Sequence, residues 1–113
     1  MRTINRAVLV VRYRDPFVRW AASLDDKAPS HAAGLSAAVS VYLVPEDPSE
    51  KHETPPLEDF YEAILTQELE DWWTDETEWP QRRDFATFLA WFEVTGDSMV
   101  TDLGRGPIRI ENL

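Results

Sequence analysis

The apolar pattern opens with INRAVLVVRY, residues 4–13, a run that is β-branched and apolar along most of its length. Such a run predicts a strand buried on most of both faces, with Ala7, Leu9, Val11 and Tyr13 on one side and Val8 and Val10 on the other. Asp15-Pro16 then marks a helix start, Asp15 as the cap and Pro16 at the first helical position, and Phe17, Trp20, Ala21 and Leu24 follow at helical spacing. Residues 25–36, DDKAPSHAAGLS, carry turn chemistry and read as a loop with freedom to move. From Ala37 to Val44 the pattern alternates, Val39, Val41 and Leu43 against Ala38, Ser40, Tyr42 and Val44, which predicts a second strand ended by Pro45.

Residues 46–56, EDPSEKHETPP, hold too few apolar side chains to pack and read as an exposed, acidic, proline-rich loop. Beyond it, Leu57, Phe60, Tyr61, Ile64, Leu65, Leu69, Trp72 and Trp73 recur at three- and four-residue steps and form the core stripe of a long helix. Thr54 is its expected cap, with Pro55 or Pro56 in the first turn. Glu58, Asp59, Glu62, Gln67, Glu68, Glu70 and Asp71 take the solvated side. Pro80 breaks the pattern after a Thr/Asp-rich loop, and Phe85, Phe88, Leu89 and Phe92 predict a second helix starting near Pro80 or Asp84. The two helices make a hairpin.

Residues 94–103 predict one strand, or a small hairpin turning at Gly96-Asp97. In the tail, 104–113, Ile108 and Ile110 alternate with Arg109 and Glu111, as an edge strand or a segment pairing with a neighbouring molecule would. The order strand, helix, strand, helix, helix, strand implies an α+β fold in one domain, 1–113: two layers, a small mixed sheet of three to five strands, and about three helices on one face. If the first two strands are parallel neighbours, the crossover between them is right-handed.

Charge sharpens this picture. The net charge is -10, and residues 46–78 hold thirteen acids and one base, Lys51, while the rest of the chain sums to +2. A field of this sign repels nucleic-acid phosphates and anionic membrane surfaces and favours a basic protein partner. The chain has no cysteine, no apolar run of the roughly 20 residues that cross a bilayer, and no leader of signal-peptide type, so the expected location is the cytoplasm.

The candidate site is the acidic, tryptophan-bearing end of the hairpin: Asp71, Trp72, Trp73, Asp75, Glu76, Glu78 and Trp79. Two readings compete there. The indoles cap the core where the chain turns, or they form a contact surface whose acidic rim steers a basic partner. Inhibition of a basic effector is the sharpest form of the second reading, by analogy with small acidic toxin-neutralising proteins. Asp75, Glu76 and Glu78 lack the alternating acids and mid-loop glycine of a calcium loop. His31 and His52 stand in separate loops without cysteine, so no zinc site is expected. Neither a metal nor a cofactor is expected.

Arg12 and Arg14, beside the Asp15-Pro16 helix start, are a weaker candidate for holding a small anion. No nucleophile motif or phosphate-cradling glycine loop is present. Two alternative classes remain: an enzyme or small-ligand binder with a pocket between sheet and helices, lined by Arg12, Arg14, Ser98 and Asp102, and a homo-oligomer formed through the tail or a sheet edge.

Several short segments have a familiar combination. Phe17 and Trp20 after Asp15-Pro16, Val41-Tyr42-Leu43-Val44-Pro45, Trp73-Thr74-Asp75-Glu76 with Trp79-Pro80, Arg83, Phe85, Trp91-Phe92, Ser98-Met99-Val100 and Asp102-Leu103 together resemble a family of short bacterial proteins of unknown function. The resemblance covers most of the chain apart from 25–36 and the tail after Gly104. It implies a bacterial cytoplasmic single domain and brings with it no activity, cofactor or catalytic residue.

Overall fold

The central element is β2, Arg6–Tyr13, whose alternation is strict in its burial: Ala7, Leu9 and Val11 are buried, while Val8 and Val10 are only half-buried. A computed structural model describes residues 1–46, 56–97 and 100–111. In it β2 pairs on one side with β3, Val39–Pro45, and on the other with β4, Phe92–Asp97. Both pairings are antiparallel, with Val10 opposite Val41 and Thr95. The mixed sheet and the parallel crossover therefore do not arise, because the chain returns to β2 in the reverse direction each time.

The N-terminal run is not one strand. Asn5 separates β2 from β1, Arg2–Ile4, which pairs antiparallel with β5, Val100–Asp102, in a second, two-stranded sheet. Between the two ladders the register steps by one residue, from Val8 opposite Asp97 to Ile4 opposite Val100, leaving one extra residue on the N-terminal arm. An extra residue of this kind bends a strand pair, as a β-bulge does. β4 and β5 thus pair with β2 and β1 and not with each other, so the expected small hairpin at Gly96-Asp97 is not formed.

The inner face of the three-stranded sheet is covered by helices. α1, Asp15–Ala22, contributes Phe17 and Ala21; α3, Tyr61–Trp72, contributes Ile64, Leu65 and Leu69; α4, Phe85–Trp91, contributes Phe88. Phe17, Phe88 and Phe92 form the centre of this core, with Phe92 lying 5.1 Å from Phe17 and 5.2 Å from Phe88 between ring centroids. Among the described residues nothing covers the outer face. Val39, Val41 and Leu43 are 47%, 59% and 57% exposed, because antiparallel sheets can leave one face to water.

Helix starts depart from expectation in detail. The cap of α1 is Arg14, without a side-chain bond, and Asp15 is the first helical residue; its carboxylate still suits the positive helix end. Thr54, Pro55 and most of the acidic loop lie outside the described residues. Leu57–Asp59 forms a 3-10 turn ahead of α3, whose own cap is Phe60. Asp84 does cap α4, its Oδ1 accepting from the Thr87 amide at 2.8 Å and the Thr87 hydroxyl at 2.7 Å. Those bonds to Thr87 hold the Asp84 carboxyl well below the usual carboxylate range.

The segment 25–36 is structured. It contains a fourth helix, α2, Ala28–Ala32, and a 3-10 turn, Leu35–Ala37, and it buries Ala28, Ala32 and Leu35. Small residues hid this from the apolar pattern, since alanines carry little periodic signal. The tail from Gly104 to Glu111 forms no strand; it is exposed, and Arg2 Nη2 donates to the Gly106 carbonyl at 3.0 Å. No helix among the described residues is long and apolar enough to cross a membrane.

Two leucines that share the same expected role separate here. Leu69 is fully buried, whereas Leu89 is 44% exposed, because Phe92 leaves the helix and the α4 face turns about Phe88. Leu69→Ala is expected to lower stability by about 2–5 kcal/mol, and Leu89→Ala by less than about 1 kcal/mol. Urea unfolding of the two variants checks this, and similar losses at both positions would contradict the packing described.

Candidate functional site

The acidic end of the hairpin is held together by its indoles. α3 ends when Trp73 turns to extended backbone, and its amide donates to the Leu69 carbonyl at 2.8 Å. Trp72 Nε1 donates to the Ala21 carbonyl at 3.4 Å, tying the end of α3 to α1. Trp79 Nε1 donates to the Trp73 carbonyl at 2.7 Å and Trp20 Nε1 to the Glu78 carbonyl at 2.9 Å. These bonds fold residues 74–79 back onto the domain. Asp75 caps the 3-10 turn Glu76–Glu78 by accepting from the Thr77 amide and hydroxyl, which lowers its pKa. Arg83 lies over the Trp79 ring at 5.8 Å from its centroid.

The seven candidate residues therefore divide. Asp75, Glu76 and Glu78 are exposed on the loop rim, while Trp72, Trp73 and Trp79 are half-buried. Asp71, Trp72 and Trp73 converge with Asp25, Ala28 and His31 on a cleft of about 240 Å³ between the end of α3 and the start of α2. Trp79 and the loop acids do not line it. Asp25 and His31 belong to the segment that reads as a loop, and the signal for them is Asp25 two residues ahead of Lys27 and three ahead of Ala28. Asp25 Oδ1 accepts from those two amides, at 2.9 and 2.7 Å, in an Asx-type turn.

The electrostatics of this cleft favour a cation. It lies at the carbonyl end of α3, whose last turn contains no base, and a helix C-terminus carries partial negative charge. Asp71 and Asp25 add carboxylates, with Lys27 the base of the adjoining turn. Indole faces attract ammonium and guanidinium groups. Trp73 Nε1 is enclosed and has no hydrogen-bond partner among the described residues. Among those residues no three His, Asp or Glu side chains converge as metal donors.

Arg12 and Arg14 form no comparable site. Arg12 lies on the outer sheet face, across from Glu93 and Val39, and Arg14 Nε donates to the Phe92 carbonyl at 3.1 Å. The recess beside them is lined by Arg14 but also by the carboxylates Asp15 and Glu93, which disfavour an anion. Of the other polar residues named for a pocket, Asp102 is committed to an ion pair with Arg2 and to the Gly104 amide, and it sits in the two-stranded sheet. Ser98 lies outside the described residues.

The polar group between sheet and helices is Glu68, assigned by its spacing to the solvated side of α3 but found 4% exposed. It stands three residues after Leu65 and four after Ile64, on the inward ridge of the helix, so the spacing itself carried the signal. Its Oε1 accepts from the Tyr13 hydroxyl at 2.5 Å and from Ser40 Oγ at 2.8 Å, and its Oε2 from the Tyr42 hydroxyl at 2.8 Å. Three donors take the place of the water that a buried carboxylate would lose. Burial, and then the bond to Glu68, push the Tyr13 phenol up to about 12 and raise that of Tyr42 as well.

Compared with known proteins, the chain matches no protein-family model, no curated protein and no solved structure. The likeness to a family of short bacterial proteins therefore brings no function to this chain.

Glu68→Ala is expected to cost about 1–3 kcal/mol by leaving three hydroxyls without their acceptor. The phenols also make stability pH-dependent. Their pKa values are higher folded than the ordinary 10.0, so their contribution to stability is constant below about pH 10 and is lost as pH rises through the folded values. Urea midpoints measured from about pH 8 to pH 11 should decline only at the alkaline end. A midpoint that does not move, or one that declines equally in Glu68→Ala, would count against the cluster.

Proposed function

We propose that this protein is a non-catalytic binding protein, and that it receives a basic segment of another protein on the acidic, tryptophan-bearing end of its helical hairpin. The observation that carries the reading is the cleft between α2 and the end of α3. There Asp25, Asp71, His31, Trp72 and Trp73 meet at a helix C-terminus without a basic residue in its last turn. An arginine or lysine side chain fits each part of that chemistry. Carboxylates take charge-assisted hydrogen bonds from a guanidinium, the indoles supply cation–π attraction, and the helix end adds its partial charge.

The rim extends the same preference. Asp75, Glu76 and Glu78 stand exposed beside the cleft, and the net charge of -10 steers a basic molecule over longer range. Hydrogen bonding within the loop keeps the Asp75 carboxylate in place without neutralising it, since Thr77 holds it and no ion pair to it is made among the described residues. The partner is thus recognised by positive charge first and by side-chain fit second.

Titration with hexa-arginine, followed by tryptophan fluorescence at low and high salt, tests this directly. Saturable quenching that weakens with salt is expected, and Asp71→Lys should lower the affinity by about tenfold or more, equivalent to about 1.4 kcal/mol. Affinity capture from a lysate of the source cells at the two salt concentrations, with mass spectrometry of the retained proteins, should then yield a basic partner that charge reversal of Asp75, Glu76 and Glu78 releases. Binding indifferent to both salt and charge reversal would sink the reading.

A further inference from the structure

β3 is an edge strand. β2 occupies one side of it, and among the described residues no backbone hydrogen bond is made on the other. In an antiparallel pair alternate residues turn their N–H and C=O groups away from the partner, so the outer edge of Val39–Pro45 presents a row of unused donors and acceptors. Protected edges usually carry lysine, a mid-strand proline or a bulge. This one has only its terminal Pro45 and is otherwise Val-Ser-Val-Tyr-Leu-Val.

A groove of about 280 Å³ runs beside that edge. Residues 42–44 form one wall, and α3 with its cap forms the other through Phe60, Ala63, Ile64 and Gln67. Those four positions are the i, i+3, i+4, i+7 ridge of one helix face. A strand edge, a parallel apolar trough and a helix wall are the parts needed to bind an extended peptide by strand addition: main-chain bonds hold it, and alternate side chains enter the trough.

The charge around the groove selects the occupant. From Pro56 to Gln81 the chain contains acids and no base. Asp59 stands in the 3-10 turn four residues before Ala63, Asp71 follows Gln67 by four on the helix, and the Gln67 amide donates to Asp71 at 2.6 Å. Glu46 is exposed just beyond the strand. A second copy of this chain would bring two strongly acidic stretches together at the same edge, which like-charge repulsion opposes.

We infer that an extended segment of the basic partner adds to β3 as a further strand, seating an aliphatic side chain between β3 and α3 while its arginines or lysines reach Asp59, Asp71 and Glu46. This rests on the basic-partner reading and specifies how that partner is held. Main-chain pairing supplies binding that is indifferent to sequence, and the trough and acids confer the choice of peptide.

The test uses a capped eight-residue peptide of alternating arginine and valine, titrated into the isotopically labelled full-length protein at low salt and followed by amide chemical shifts. Shifts should concentrate at residues 39–45 and 60–67. N-methylation of one alternate set of peptide amides should weaken binding by about tenfold or more, and of the other set hardly at all. Ala63→Leu, which fills the trough at an exposed position without changing charge, should also weaken it by about tenfold, in a variant shown to be folded by circular dichroism.

Equal binding of both methylated peptides, or an unchanged affinity in Ala63→Leu, overturns strand addition. If the shifts then gather at Asp25, His31, Trp72 and Trp73, the basic-partner reading survives and only its geometry is wrong. No shift anywhere at low salt removes both. A dimer in sedimentation that Ala63→Leu dissolves would assign the groove to a second copy and overturn the proposal.

Discussion

The alternation of β2 is the constraint on which the rest of the structure depends. One strand with Ala7, Leu9 and Val11 on a single face requires cover on that face, and its two antiparallel neighbours widen the apolar surface with Val44 and Phe92. Three helices supply the cover through Phe17, Ile64, Leu65, Leu69 and Phe88. Packing a helix on one side leaves the other side to solvent, which is why Val39, Val41 and Leu43 are exposed although they are apolar and lie in regular strand. The open face and the β3 edge, which no other strand of the described residues pairs with, are two consequences of one layer arrangement.

Glu68 shows how a polar group can be accommodated in such an interface. The carboxylate enters where the sheet offers Tyr13, Ser40 and Tyr42, hydroxyls from two neighbouring strands on the inner face. It joins α3 to β2 and β3 by directional bonds, where apolar contacts alone would permit several helix positions along the strands. The same three bonds fix where the C-terminal end of α3 falls, and therefore where Asp71, Trp72 and Trp73 stand relative to α2. The interior polar cluster and the cleft between α2 and the end of α3 are joined through the one helix.

The acids themselves are distributed with consequence. α3 tolerates an uncompensated carbonyl end, at a cost of a few tenths of a kcal/mol for each misplaced acid. The indoles that pin the following loop do so through N–H bonds to main-chain carbonyls of Ala21, Trp73 and Glu78, so their structural service and a contact role at their exposed edges are compatible. A small domain can use one residue type both to close its core and to present a surface, because an indole is large enough to be half-buried.

Sequence alone determined the main strands and helices and the charge. Period two in residues 6–13 and 39–45, the three- and four-residue steps of α3, and the Asp84 cap are local patterns, and local backbone geometry follows from them. The concentration of acids between Glu46 and Glu78 is equally a property of the chain. Tertiary structure decided what no local pattern contains: that both neighbours of β2 run antiparallel, that the alanine-rich 25–36 segment packs against the domain with a short helix at Ala28–Ala32, and that Glu68, already on the inward ridge of α3, meets three distant hydroxyls. It also decided that Asp25 and His31 face Asp71 and the two indoles while Arg12 and Arg14 face acids. The physical reason is that burial and electrostatic environment depend on which residues meet across the fold, and those meetings are set by packing between elements far apart in the chain.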